Sequence, residues 1–218
     1  MKKNKRFIPV IIAYGVLLVL LLPIFVYAIL AYSNPAKYNY RLDYLQAGEA
    51  VDGYLHTGEY ALTLVFLGLL FAGLTLGLLS WIFRRKSTQI AVSCLLSVIA
   101  FSYCLARSVY CFGLGGTNSI PAIFYLIGAL GIACSLVFFV KKTLDGDCSW
   151  LYYVSVILGA AFLFLASCTK YSYSILNALG HQGDVVYWGS YGVSRIALLS
   201  YLLGAYLNLS LDYEPEAK

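Results

Sequence analysis

The chain has 218 residues, of which 61% are hydrophobic and only 11% charged, whereas a soluble domain carries roughly 45–50% apolar and about 25% charged residues. This excludes an ordinary water-soluble globular protein, and apolar stretches take up so much of the chain that no separate soluble domain fits beside them. The formal net charge of +5 calls for no nucleic-acid partner, because the basic residues cluster between apolar stretches as membrane topology demands.

Lys2, Lys3, Lys5 and Arg6 lead into the first span, 7–32. A signal-peptide core runs for roughly 7–15 residues, so this longer run reads as a retained helix, with cleavage near Ala31 as the alternative. Pro9 and Pro23 are candidate kink positions. The long connection that follows contains RLDYLQAGEAVDGYL, which could form an amphipathic helix with Leu42, Tyr44 and Leu45 on its apolar side. Further spans are expected at 61–83, 90–112, 120–140, 151–169 and 185–211, each near the length of about 20 residues that crosses a hydrocarbon core. The apolarity is continuous rather than alternating, which rejects a membrane β-barrel. The expected fold is all-α: one polytopic membrane domain, 1–218, of about six transmembrane helices.

Basic residues set the orientation. Lys2, Lys3, Lys5, Arg6, Arg84, Arg85, Lys86, Lys141, Lys142 and Lys218 fall on one side, against Lys37, Arg41 and Lys170 on the other. Excess Lys and Arg stay cytoplasmic, so both termini are expected inside, in a bacterial plasma membrane. The opposite side is rich in tyrosine and mildly acidic.

Two weaker patterns accompany this layout. The second span ends WIFRRK and the fourth VFFVKK, while LARSVYCF in the third answers LASCTKYSY in the fifth. Spans two and three would then repeat as four and five in the same orientation. Gly73 with Gly77, and Gly128, Gly131 and Ser135, are small residues that allow close helix approach, inside one chain or in a homo-oligomer.

The most informative candidates are the arginines inside spans, Arg107 and Arg195. A charge at a helix centre costs roughly 2.5–3.5 kcal/mol on insertion scales and normally turns inward. Tyr103 and Tyr191 lie four residues before them, hence on the same helix faces. Glu59 and Asp184, at helix starts on the outer side, are the nearest carboxylates. One reading is structural, with Arg107 reaching the interface and Arg195 paired to a carboxylate or carbonyl. The other is an outward-facing polar pocket for a small anionic ligand or lipid head group, since guanidinium matches carboxylate and phosphate. His56 and His181 stand in LHTGEY and GHQGDV and, with the adjacent acids, form a weak metal-ligand set. Capping of the following helices is the plainer role. Cys111 and Cys168 both fall near outer helix ends, where a disulfide could form.

No motif of a hydrolase, metalloprotease or nucleotide-binding enzyme is present, and no cofactor is implied. The expected function is therefore a transport or ligand-binding component. A non-catalytic accessory or scaffold subunit of a membrane complex, with other membrane subunits as partners, is the alternative. An intramembrane enzyme acting on a lipid-linked substrate is the second alternative.

Overall fold

In a computed structural model the described residues are 7–33, 53–114, 119–145, 150–178 and 185–210, with the backbone alone described at several helix ends, among them 53–63, 168–178 and 185–193. They form α1 (Phe7–Ser33), α2 (Gly53–Ile82), α3 (Lys86–Leu114), α4 (Ser119–Asp145), α5 (Trp150–Ala178) and α6 (Val185–Ser210). No strand occurs among the described residues. The segment 41–52, which holds most of the expected amphipathic helix, lies outside them.

Each expected span overlaps one helix, and those at 7–32, 90–112, 120–140 and 151–169 fall wholly inside a longer one, because the intrahelical hydrogen-bond ladder continues into flanking residues. Among the described residues, five helices contain stretches long and apolar enough to cross a membrane: Ile8–Val26, Leu64–Ile82, Lys86–Gly113, Ser119–Lys142 and Trp150–Ser167. In α6 the described stretch Ser194–Leu207 is apolar as well, with Arg195 near its start. Pro23 sits inside α1, which remains one helix across it. Large apolar side chains such as Ile8, Val19, Val109 and Ile157 are exposed on the bundle's outside, an arrangement suited to lipid rather than water.

α2 and α3 are joined by the three residues 83–85. Arg85 N–H donates to the Ser80 carbonyl at 3.1 Å and Arg84 N–H to that of Trp81 at 3.2 Å, the bond pair of a Schellman cap. The left-handed position of such a cap normally holds glycine; here it is Arg84, with φ of 54°.

Neighbouring helices run antiparallel. Phe25 meets Phe71 between α1 and α2, Phe66 meets Tyr103 between α2 and α3, Phe139 meets Tyr152 between α4 and α5, and Tyr152 reaches the Ala205 carbonyl on α6. α3 packs on α2, α4 and α6; α6 packs on α5, α3 and α1, and more lightly on α2. Two four-helix groups, α1–α2–α3–α6 and α3–α4–α5–α6, thus share a central seam between α3 and α6. Arg84, Arg85, Lys86, Lys141 and Lys142 all fall at one end of the bundle, called the basic end below.

Small residues set the close approaches. A Cβ on Gly131 would lie 2.8 Å from the Cα of Gly159, so α4 and α5 touch backbone to backbone. Gly73 packs on Leu96 and Ile99 of α3, and Gly77 receives the ring of Tyr14 from α1. The glycines singled out in the sequence are therefore used within the chain.

Candidate functional site

Hydrophobic cores of membrane bundles give polar side chains no water, so those present must find protein partners. The seam between α3 and α6 collects several. Tyr103 and Arg107, one helical turn apart on α3, are both buried. The Tyr103 hydroxyl lies 2.6 Å from the Oγ of Ser194 on α6. The hydroxyl of Tyr125, on α4, reaches the same oxygen at 3.2 Å. Ser194 thereby joins three helices. The rings of Tyr103 and Tyr125 meet edge to face with centroids 6.2 Å apart, and Phe66 of α2 closes the other side of Tyr103 at 5.4 Å. The guanidinium carbon of Arg107 stands 6.0 Å from the centroid of the Tyr125 ring, at the outer limit of a cation–π contact.

This cluster lies in the half of the seam away from the basic end. Ser108 adds a tie beside it, donating to the Ala122 carbonyl on α4 at 2.9 Å. Deeper along the seam, the Ser135 hydroxyl donates to its own helix at Ile132 O, 2.7 Å away, which leaves Tyr201 of α6 as donor in their 2.9 Å contact. Nearer the basic end α3 satisfies itself: Ser97 donates to Ser93 O, Ser93 to Gln89 O, and Gln89 to Ser80 O on α2. Ser200, fully buried on α6, has an Oγ with no hydrogen-bond partner among the described residues.

Of the residues singled out in the sequence, Arg107 and Tyr103 fall together in the buried cluster. Arg195 directly follows Ser194 in α6 and is half-buried. The backbones of Tyr191, Glu59, His56 and Cys168 belong to α6, α2, α2 and α5, while their side chains lie outside the described residues, as do Asp184 and His181 altogether. Cys111 is buried, and the side chain of Cys168, its expected disulfide partner, lies outside the described residues. No group of side chains able to hold a metal ion occurs among them either.

Tyr125 and Tyr201 were not singled out in the sequence, Ser135 was read only as a small packing residue, and Ser194 was not assigned to the site. Single hydroxyls in apolar helices are common, and only the packing of three helices on one another brings these together. Chemically the cluster offers one guanidinium and several hydroxyls. That set suits an anion. No known protein family, curated protein or solved structure matches the chain.

Proposed function

We propose that the chain is a small transport or ligand-binding component of a bacterial plasma membrane, with both termini cytoplasmic and a polar site for a small anionic ligand or lipid head group in the outer half of the bundle. The observation that carries this reading is the burial of Arg107 beside Tyr103, Tyr125 and Ser194 at the junction of α3, α4 and α6. A guanidinium inside an apolar bundle is expensive and is a functional-site candidate by default. The clustering of Arg84, Arg85, Lys86, Lys141 and Lys142 at the other end supports an outward-facing site, since the basic end belongs to the cytoplasm. Arg195, Tyr191, Glu59 and Asp184 belong to the rim in this reading. His56 and His181 are gate or capping residues, with a metal as the lesser role.

The test is thermal stability of the detergent-purified protein with inorganic phosphate, acetate, succinate, and anionic against zwitterionic lipid. At least one anion should raise Tm, and Arg107→Ala or Arg195→Ala should abolish the shift while Arg107→Lys retains part of it. If no anion stabilises the wild type, or both alanine variants respond as wild type does, the site is not an anion site. Co-purification of a stoichiometric membrane partner with no anion response would favour the accessory-subunit reading.

A further inference from the structure

The contact pattern of the six helices has a symmetry. Exchanging α1, α2, α3 with α4, α5, α6 maps the α1–α2 packing onto α4–α5, α2–α3 onto α5–α6, and α3–α4 onto α6–α1, and leaves the α3–α6 seam in place. Because neighbours are antiparallel and each half has three helices, the halves would be inverted with respect to the membrane. The lighter α2–α6 packing, which no comparable α3–α5 packing answers, is the departure.

The sequence carries the same correspondence. Ser93, Ser97, Ile99, Ala100 and Leu105 of α3 recur, at one constant offset, as Ser190, Ser194, Ile196, Ala197 and Leu202 of α6. Burial follows the same offset. Ser97, Ile99, Ala100, Tyr103, Cys104, Arg107 and Ser108 are buried, and so are Ser194, Ile196, Ala197, Ser200, Tyr201, Gly204 and Ala205; Leu105 and Val109 are exposed, and so are Leu202 and Tyr206. The first helix of each half opens alike, with Ile8-Pro9-x-Ile11 in α1 and Ile120-Pro121-x-Ile123 in α4, the proline third in both helices. Yet α1 begins at the basic end and α4 at the opposite one. The likeness of α2–α3 to α4–α5 noted from the sequence fits worse, because exchanging those pairs would map the α3–α4 packing onto α5–α2, where there is no comparable packing.

The seam shows where the symmetry axis passes. Tyr103 meets Ser194, and a Cβ on Gly204 would lie 3.1 Å from the Ser93 carbonyl oxygen. The register these contacts set puts Ala100 level with Ala197, its own counterpart, and both are fully buried. On one side of this crossing the seam is filled by Tyr103 and Arg107. Their counterparts on the other side are Ser200 and Gly204, small residues beside Ser97 and Ser93, and the buried Ser200 hydroxyl there lacks a partner among the described residues. Transporters built from inverted repeats bind at the repeat interface and work by rocking one repeat against the other.

We infer that α1–α3 and α4–α6 are inverted repeats that rock about the Ala100–Ala197 crossing, and that the α3–α6 seam is the path from the Tyr103–Arg107–Ser194 site to a second polar level at Ser97 and Ser200. The path rests on the transport reading; the repeats and their motion do not.

Two locks test it. Ser93→Cys with Gly204→Cys bridges the repeats near the basic end, where a Cβ at position 204 would lie 3.7 Å from the Ser93 Cα, within disulfide reach. Ser108→Cys with Ala122→Cys bridges them at the other end. Both go into a chain whose six native cysteines are replaced by alanine. Spin labels on ketone-bearing residues report inter-repeat distance at Val65 and Phe164, away from the basic end, or at Ile82 and Val154, near it; all four positions are exposed. In lipid, the unlocked protein should show two distance populations for each pair. Oxidising the Ser93/Gly204 lock should leave only the longer population at Val65/Phe164, oxidising the Ser108/Ala122 lock only the longer one at Ile82/Val154, and reduction should restore both. A single unlocked population at both pairs, or locks that leave the far end unchanged, overturns the inference. Reciprocal motion without any anion stabilisation would keep the repeats and sink the anion site, whereas stabilisation in a protein with no such motion would do the reverse.

Discussion

The hydroxyl of Tyr103 lies 2.6 Å from the Oγ of Ser194, across helices whose sequence positions are far apart. This contact fixes the register of α3 against α6 at the centre of the bundle. It also places Arg107, one turn along α3, against Tyr125 of α4. A single serine therefore decides the surroundings of the buried guanidinium.

That arrangement ranks three substitutions. Tyr103→Phe and Tyr125→Phe each remove one hydroxyl, and hydrogen bonds between membrane helices average about 0.6 kcal/mol, reaching about 1.7. Ser194→Ala instead removes the shared partner of two buried tyrosine hydroxyls, and each one left unsatisfied costs about 1–3 kcal/mol. Ser194→Ala should therefore lower stability most, Tyr103→Phe next, and Tyr125→Phe, with its longer 3.2 Å bond, least. Unfolding in mixed micelles with increasing denaturing detergent gives the order; equal losses for all three would show that Ser194 is not shared.

The α4–α5 contact yields a second expectation. With Gly131 set directly on the Gly159 backbone, Gly131→Ala must separate the two helices, and overpacking of this kind costs about 1–3 kcal/mol. Gly15→Ala and Gly68→Ala, where an added Cβ meets nothing within 4 Å, should leave Tm unchanged or raise it. A Gly131→Ala protein as stable as wild type would mean that this close approach is not maintained in solution.

These cases show what the sequence disclosed. The all-helical, apolar character of the chain could be read directly, since a run such as VIIAYGVLLVLLLPIFVYAIL has few options in any solvent. Arg107 and Tyr103 could be paired because i and i+4 share a helix face. Ser194 and Tyr125 could not, because helix–helix packing in lipid is set by local shape and small residues, which leave no hydrophobic periodicity to read. The inverted correspondence was hidden for a related reason. Basic residues at helix ends on one side of the bundle make unrelated spans look alike, whereas the informative matches, Ser97 with Ser194 and Ala100 with Ala197, are common residues whose importance emerges only when the seam is seen.

Arg84 provides a third test. Its φ of 54° puts a residue with a Cβ in the left-handed region, at a cost of roughly 1–2 kcal/mol. The cap bonds from Arg84 and Arg85 persist with glycine, so Arg84→Gly should stabilise the protein, by about 0.5–1 kcal/mol once glycine's greater freedom in the unfolded chain is set against the relieved strain. Arg84→Val, β-branched and unable to adopt this conformation comfortably, should destabilise it. Thermal melts of the two variants beside wild type decide this, and a loss of stability in Arg84→Gly would contradict it.

The attachment of α1 can be tested by size compensation. Only 22% of the Ile8–Val26 stretch is buried, so few contacts hold this helix to the rest. Tyr14, with 1% of its surface exposed, is seated on Gly77, and the side chain of alanine there would overlap the tyrosine ring. Gly77→Ala should loosen α1, read as faster hydrogen exchange in α1 than in wild type while α3–α5 keep their protection. Tyr14→Phe should not rescue it, because the clash involves ring carbons as well as the hydroxyl. Tyr14→Leu, shorter than either aromatic, should restore much of the protection in the Gly77→Ala background while weakening packing on its own. Rescue by phenylalanine as complete as by leucine would place the conflict at the hydroxyl alone and contradict the seating of the ring on Gly77.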